Sequence, residues 1–438
     1  MILIEHSTYN QSTLKANLGA AEHSYVFVRN GFRPVVERLG TRVDVADPAR
    51  EVDAIYRAAV ERGEDCIFLS YNPPHRTTLG LACPTLPIFA WEYDNIPVET
   101  WNENSENDWR IPLRQTGMAV TLSREAAHAV RKAMGSDYPV WPVPTPLFDA
   151  YARHASEAQG WRAAFDLTLD GALIVDTREV DLSFFQPEVS WQEANHPLRV
   201  LNRAGARAGW PPKTMRLEGV VYTAVFNPID GRKNWTDLVG GFIWAFRETA
   251  EATLILKLTH ATIEEGLMPV LRHISSLGKM KCRIVVINGL LSHEAYGALV
   301  DATSYCVNTS LCEGQCLPLT EYMSAGRPAV APAHTAMLDY LSPENAFVVR
   351  SGPRPAAWPQ DERRAQRARN HLISFADLVR QYLESYHVAR DEPSRYAAKS
   401  LAAVNALRTY CSEDVVARQL GEVLRYVKAM PASSRRAV

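Results

Sequence analysis

Short apolar runs alternate with stretches of helical period over much of the chain. In the first part the runs are residues 2–5, 25–29, 42–45, 66–70, 87–91 and 118–121. Polar or turn-forming residues bound each of them, which is the pattern of strands. Between them, residues 51–62 and 123–133 carry apolar side chains at helical spacing, the second opened by Ser123 as N-cap. The alternation resumes after Lys213. It predicts strands at 219–226, 253–258 and 283–287, and helices at 235–246, 264–275 and 292–301. Near-continuous apolar strands separated by amphipathic helices predict an α/β protein with parallel sheets covered on both faces. Such sheets bind ligands beyond the carboxyl ends of their strands.

Residues 150–212 break this rhythm. Residues 161–177 read as helical and then strand-like, 183–196 as mixed with a break at Pro187, and 199–208 as a helix ended near Gly209. Pro211 and Pro212 mark a linker, which puts the domain junction near Lys213. The expected organisation is a first domain over 1–212, with 150–212 as an insertion or linker, and a second over 213–385. Residues 386–438 are then helices packing back toward the first domain, with a disordered tail from Pro431.

Composition narrows the class. A chain of 438 residues holds two or three domains, and 47% hydrophobic with 22% charged residues is ordinary for a soluble globular protein. A formal net charge of −2 gives no drive toward nucleic acid. Seven irregularly spaced cysteines suggest a reducing, cytoplasmic setting, not a disulfide framework. Cys306, Cys312 and Cys316 cluster without a second metal-type pair and read as buried or loop thiols. No basic leader precedes an apolar core, and no run reaches the roughly 20 apolar residues of a spanning helix. Peripheral contact with the inner face of a membrane stays open.

The candidate chemistry lies mainly in residues 307–340. A strand end at 305–309 is followed by a turn at Glu313, Gly314 and Gln315, where Gly314 permits positive φ or close backbone approach to a ligand. A helix beginning near Cys316 accepts Pro318 in its first turn, and Gly326 and Pro328 end it. Its free N–H groups and positive dipole end suit a diphosphate. Glu313 would lie beside whatever the phosphates carry, and Glu321 further on, where a ribose hydroxyl could meet it. A surface turn with one capping and one solvated glutamate fits the spacing equally well.

A second stretch runs from Asn227 to Asn234. At a strand's carboxyl end, Arg232 and Lys233 pair two cations, which suits a diphosphate leaving group. Lys257 ends the next strand, and Asn288 and Gly289 end the one after, where backbone groups can meet a nucleobase edge. Ser310 is placed to reach a phosphate. For any one of these cations, a solvated surface position is the ordinary alternative. In the first half the strand-end loops are 6–11, 71–77 with His75, and 92–95 with Glu92 and Asp94. No G-x-G-x-x-G follows the first strand, so a nicotinamide-binding opening is unsupported.

Residues 313–330 resemble the signature of the family-4 retaining glycosyltransferases, E-G-F-G-L-P-x-x-E-x-M-A-x-G-x-P-V-V-A. The matching positions are Glu313, Gly314, Leu317, Pro318, Glu321, Met323, Gly326, Pro328 and Val330. Residues 226–234 are similar to the family's first loop of the second domain, with Lys233 kept. The likeness covers residues 220–349 well and the first half by architecture alone. Cys316 stands where the family has Gly, and Asn227 where it commonly has Arg, so Arg232 or Lys257 would replace that charge. The first strand lacks the family's Gly-rich loop, with no Gly before Gly19. Its usual His at a later strand end is replaced, which makes Glu92 or Asp94 the candidate.

The resemblance implies a GT-B fold, two Rossmann-like domains whose parallel sheets face each other across a deep cleft. It implies transfer of a sugar from a nucleotide diphosphate sugar to a glycan or lipid-linked acceptor, in polysaccharide or glycoconjugate assembly, with retention and no metal cofactor. Glu313, Lys233 and Arg232 would be catalytic. Glu321, Gly314, Gln315, Cys316, Leu317, Ser310, Lys257, Asn227, Asn288 and Gly289 would bind the donor, and Glu92, Asp94 and His75 the acceptor. The alternatives are a GT-B phosphorylase or epimerase-like enzyme, and a non-catalytic sugar-nucleotide-binding protein.

Overall fold

The computed structural model describes residues 1–430 except 15, 16, 21, 101, 102, 156, 157, 187–195, 200–209, 261, 359, 360, 362 and 364. The expected helix at 199–208, most of the mixed stretch at 183–196 and the tail from 431 fall outside or largely outside the described residues.

The first sheet joins β1 (Ile2–His6), β2 (Thr41–Asp44), β3 (Cys66–Ser70), β4 (Thr85–Phe89), β5 (Ala119–Thr121) and β6 (Val140–Pro142), in the order β2-β1-β3-β4-β5-β6. Every pairing is parallel. The connections carry α1 (Gln11–Leu14), α2 (Tyr25–Leu39), α3 (Pro48–Glu61), α4 (Arg110–Thr116) and α5 (Arg124–Met134). Successive residues of β1 serve opposite layers, as a period of two requires. Leu3 packs with Phe32 and Val36 of α2, while Ile2 and Ile4 pack with Val52 of α3. Residues 25–29, expected as a strand, are the first turns of α2. Tyr25, Val28, Phe32, Val35 and Val36 form one buried helical stripe, and that period overrides the strand preference of Tyr and Val.

After α6 (Phe148–Ala152) the chain enters the second sheet. Its strands are β7 (Arg162–Leu169), β8 (Leu173–Asp176), β9 (Lys213–Phe226), β10 (Ala252–Leu258), β11 (Arg283–Asn288), β12 (Tyr305–Val307), β13 (Ala329–Pro332) and β14 (Ala346–Val349). They run in the order β14-β13-β12-β9-β10-β11-β8, with β7 on β9. The strands from β14 to β11 are parallel, whereas β8 and β7 pair antiparallel. Residues 161–177 are therefore two strands joined by a turn, with no helical half. They belong to the second sheet and not to an insertion in the first domain. A buried ion pair between Arg283 and Asp176 ties β8 to β11. The helices here are α7 (Trp235–Phe246), α8 (Met268–Ser276), α9 (His293–Ala302) and α10 (Leu317–Ser324).

The Pro- and Arg-rich stretch after β14 forms an antiparallel hairpin, β15 (Ser351–Ala357) and β16 (Arg367–Ile373). Three helices follow: α11 (Phe375–Asp391), α12 (Pro393–Cys411) and α13 (Glu413–Ala429). In α12, Ala403 and Leu407 pack with Leu319 and Tyr322 of α10. In α13, Val416, Leu420, Val423, Leu424 and Val427 join the core of the first sheet, so the last helix returns to where the chain began. Among the described residues no helix is long and apolar enough to cross a membrane.

The carboxyl ends of the two sheets face each other. The loop after β9 meets the loops after β1 and β4: Asn227 Nδ2 donates to Gly19 O at 2.9 Å, and Arg232 Nε lies 3.2 Å from Glu92 Oε1. The β15–β16 hairpin reaches across as well. Gln366 Nε2 donates to Ile96 O, Asn95 Nδ2 to Arg367 O, and the Trp358 ring lies 5.4 Å from Trp91.

Candidate active site

Two loops of the second sheet are sewn together by their own backbones. After β9, Asp230 caps a tight turn at Gly231–Lys233 by accepting from Arg232 N. After β12, Asn308 Oδ1 accepts from Ser310 N, Thr309 Oγ1 donates to Asn234 O, and Leu311 N donates to Arg232 O at 2.7 Å. Glu313 N in turn donates to Thr335 Oγ1. This scaffold buries the Glu313 carboxylate among donors. Oε1 accepts from Lys233 Nζ at 2.6 Å, Ser310 Oγ at 2.7 Å and Asn308 Nδ2 at 3.3 Å, and Oε2 accepts from Arg232 Nη1 at 3.0 Å. Burial alone would raise its pKa. The Lys233 and Arg232 charges overcome that and hold it well below the usual carboxylate range.

Arg232 carries more than one anion. Its Nε lies 3.0 Å from Asp230 Oδ2 and 3.2 Å from Glu92 Oε1, yet that buried N–H has no hydrogen-bond partner among the described residues. The angles are wrong although the distances are short, so these two contacts are Coulombic. Burial raises the Glu92 carboxyl against the pull of Arg232.

The N-terminus of α10 is buried but keeps unspent donors. Among the described residues nothing accepts from the backbone N–H groups of Gly314, Gln315, Cys316 or Leu317, and Pro318 stands in the first turn of α10. Cys316 adopts the left-handed conformation at φ 65° and ψ 71°, against the preference of a side chain. Gly314 lies at the contact between the two domains. Its φ is not positive, and the backbone it approaches is that of the first domain: a Cβ would lie 3.0 Å from Ala90 Cβ and 3.1 Å from Trp91 N. Gln315 also turns to the first domain, accepting from Thr145 N at 3.0 Å and donating to Thr145 O. Leu317 packs against the first core.

Further along, Glu321 Oε2 accepts from Tyr296 Oη at 2.5 Å. Burial pushes its carboxyl up to about 7, against Tyr296, Lys257 and Tyr151. Burial likewise lowers Lys257 to about 8, opposed by Glu321. Asn288 is buried, and its Oδ1 has no partner among the described residues. Gly289, at φ 135°, lets the β7–β8 turn pass close, with Gly171 O 3.2 Å from where a Cβ would be. Ser310 spends its hydroxyl on Glu313, and Asn227 its amide on Gly19.

The acceptor candidates do not converge. Asp94 accepts from Arg369 N at 2.9 Å and lies 3.5 Å from Lys132, so it anchors the hairpin. His75 accepts from Trp109 Nε1 at 3.0 Å on Nδ1, stacks on that ring, and has its other nitrogen 3.7 Å from Glu22 Oε1. Burial lowers it to about 4, so it is neutral near pH 7. Only Glu92 meets the cation cluster. The loop after β1, placed at 6–11 by sequence reasoning, extends to Glu22, and that extension was missed. It carries Gly19, whose Cβ would lie 2.4 Å from the His260 ring, and Glu22 in left-handed backbone at φ 69°. The one signal was Gly19 itself, the first glycine of the chain.

Two facing α/β sheets, with a last helix returned to the first, define the two-domain GT-B fold. Solved structures of that fold match nearly the whole chain. Sucrose-phosphate synthase from Thermosynechococcus elongatus is 13% identical over 98% of this chain and 99% of its own, with a TM-score of 0.54. HepE from Anabaena, solved in complex with UDP, is 11% identical over 97% and 99%, with a TM-score of 0.53. A glycosyltransferase from Rickettsia africae is 11% identical over 98% and 99%, with a TM-score of 0.52. At these identities the likeness carries the fold alone. No family model and no curated protein matches the sequence.

Proposed function

We propose that this chain is a retaining glycosyltransferase that moves a hexosyl unit from a nucleotide diphosphate sugar to a glycan or lipid-linked acceptor, in polysaccharide or glycoconjugate assembly. The observation that carries the reading is the ionised Glu313 locked between Lys233 and Arg232 beside the unspent N–H groups at the N-terminus of α10. A departing diphosphate gathers negative charge. Lys233, the unspent Nε–H of Arg232 and the free N–H groups of Gly314 to Leu317 are fixed donors that would meet it. These donors would do the work a divalent metal does elsewhere. Glu321 would take ribose hydroxyls, and Asn288 with Gly289 the base edge. The UDP bound to HepE accords with such a donor.

Glu313 has four donors on its two oxygens, which suits a fixed counter-charge for the positive anomeric carbon better than a nucleophile. The acceptor oxygen would then enter on the face the diphosphate leaves. The carbon–oxygen bond to the diphosphate breaks, the bond to the acceptor forms on the same side, and configuration is retained. Glu92 is the acceptor-side group nearest this chemistry. Glu313→Gln and Lys233→Ala should each lower sugar transfer by about 10²-fold or more, with chelator leaving the wild-type rate unchanged. Near-normal rates in both variants would remove this mechanism.

A further inference from the structure

The cation pair that would receive the diphosphate is already occupied. Arg232 and Lys233 face three carboxylates: Glu313 and Asp230 from their own domain, and Glu92 from the other. Glu313 is fastened by hydrogen bonds to four groups, and Asp230 caps the turn that carries Arg232. Glu92 has no such fastening. No hydrogen bond to its carboxylate is found among the described residues; it is held by charge alone, at 3.2 Å from a guanidinium N–H that donates to nothing. A ligand oxygen able to satisfy that N–H displaces Glu92 before either of the other acids.

We propose that Glu92 is an exchangeable counter-ion: the diphosphate of the donor takes its place at Arg232, and the released carboxylate then accepts a hydrogen bond from the acceptor hydroxyl. The proposal rests on the diphosphate reading of the Arg232–Lys233 site and adds an order of events to it. Before the donor arrives, Glu92 Oε1 lies against Arg232 and its charge is matched there, which weakens the carboxylate as an acceptor for a hydroxyl. After exchange it is a largely buried carboxylate that has lost its cation, which favours taking up a new donor. The acceptor site is therefore completed by donor binding. An acceptor arriving first meets a carboxylate whose charge is already matched by Arg232, which limits unproductive complexes.

The exchange has a consequence opposite to that of an ordinary binding residue: removing Glu92's charge tightens diphosphate binding. Inorganic pyrophosphate is the probe, titrated calorimetrically into wild type, Glu92→Gln, Glu92→Asp and Lys233→Ala. Glu92→Gln should bind about ten-fold tighter than wild type, the size of one close ion pair no longer competed for. Glu92→Asp, which keeps the charge but shortens the reach, should be intermediate and guards against a Gln variant that does not fold. Lys233→Ala should bind more weakly. If Lys233→Ala weakens binding while neither Glu92 variant tightens it, the exchange is wrong and the site stands. If Lys233→Ala binds as wild type does, or none of the four proteins binds, the diphosphate reading fails and the exchange with it.

Discussion

Gly314 packs against the first domain beside the reacting groups, and Gly314→Ala probes that approach. The added Cβ would lie 3.0 Å from Ala90 Cβ and 3.1 Å from Trp91 N. Ordinary carbon contacts lie near 3.5–4.0 Å, so the partners must part by roughly 0.5–1 Å. Neither neighbour can rotate away. One is a methyl stub and the other is backbone, and Tyr25 Oη fixes that strand end by accepting from Ala90 N at 3.1 Å. The strain is relieved by moving the first domain off the second. The 3.2 Å separation of Arg232 and Glu92 would open to about 4 Å by the same shift. Overpacking of this kind costs about 1–3 kcal/mol. For a large chain that lowers the apparent melting temperature by roughly 2–6 °C. Pyrophosphate affinity should rise, but by less than the roughly ten-fold expected of Glu92→Gln, because its donors lie on the second domain and Glu92 competes from farther away. Sugar transfer should fall by ten-fold or more, since a misplacement of about 1 Å can cost 10²-fold. Calorimetric melting, titration and a transfer assay on one preparation read all three. Unchanged melting with full transfer would refute the reasoning.

Other outcomes follow from single residues. Cys316 holds a left-handed backbone that costs a side chain about 1–2 kcal/mol, so Cys316→Gly should raise the melting temperature, less whatever its buried thiol contributes; a lower melting temperature would show that the thiol's packing dominates. Glu321 titrates near 7 in the folded protein against an ordinary 4.5. The folded state thus binds more protons than the unfolded one between these values, and stability falls as pH rises through that window. Glu321→Gln should flatten the fall, and parallel melting curves for wild type and variant between pH 4.5 and 7 would contradict the assignment. Glu321→Ala should weaken nucleoside diphosphates while sparing pyrophosphate; equal losses for both would place the ribose elsewhere.

Much of the second domain was legible because its signals are local. The helix at 235–246 and the strand at 253–258 follow from period and apolar run alone, and the structure keeps them within a residue. The loop at Glu313 was legible through its glycine, proline and glutamate spacing. What stayed hidden depends on partners far along the chain. Residues 162–169 are polar enough to read as helix and become a strand only because 213–219 lie alongside. The hairpin at 351–373 has prolines and arginines that argue against a strand; pairing with its own return and burial of Trp358 against Trp91 outweigh them. Gly314 and Gln315 also pack on the first domain, and no local pattern encodes that. Asp94 looked equivalent to Glu92 in sequence, yet two residues' separation turns one to the cation cluster and the other to β16.

The most direct test of the central claim is a thermal-shift comparison of UDP, GDP, ADP, CMP and TDP, with and without attached sugars, on wild type and Lys233→Ala. A ligand that binds only the native state must raise the apparent melting temperature by mass action. The account predicts that one nucleoside diphosphate stands out with wild type and that its shift shrinks or vanishes with Lys233→Ala. No shift from any of them at millimolar concentration, or an equal shift in both proteins, would contradict it.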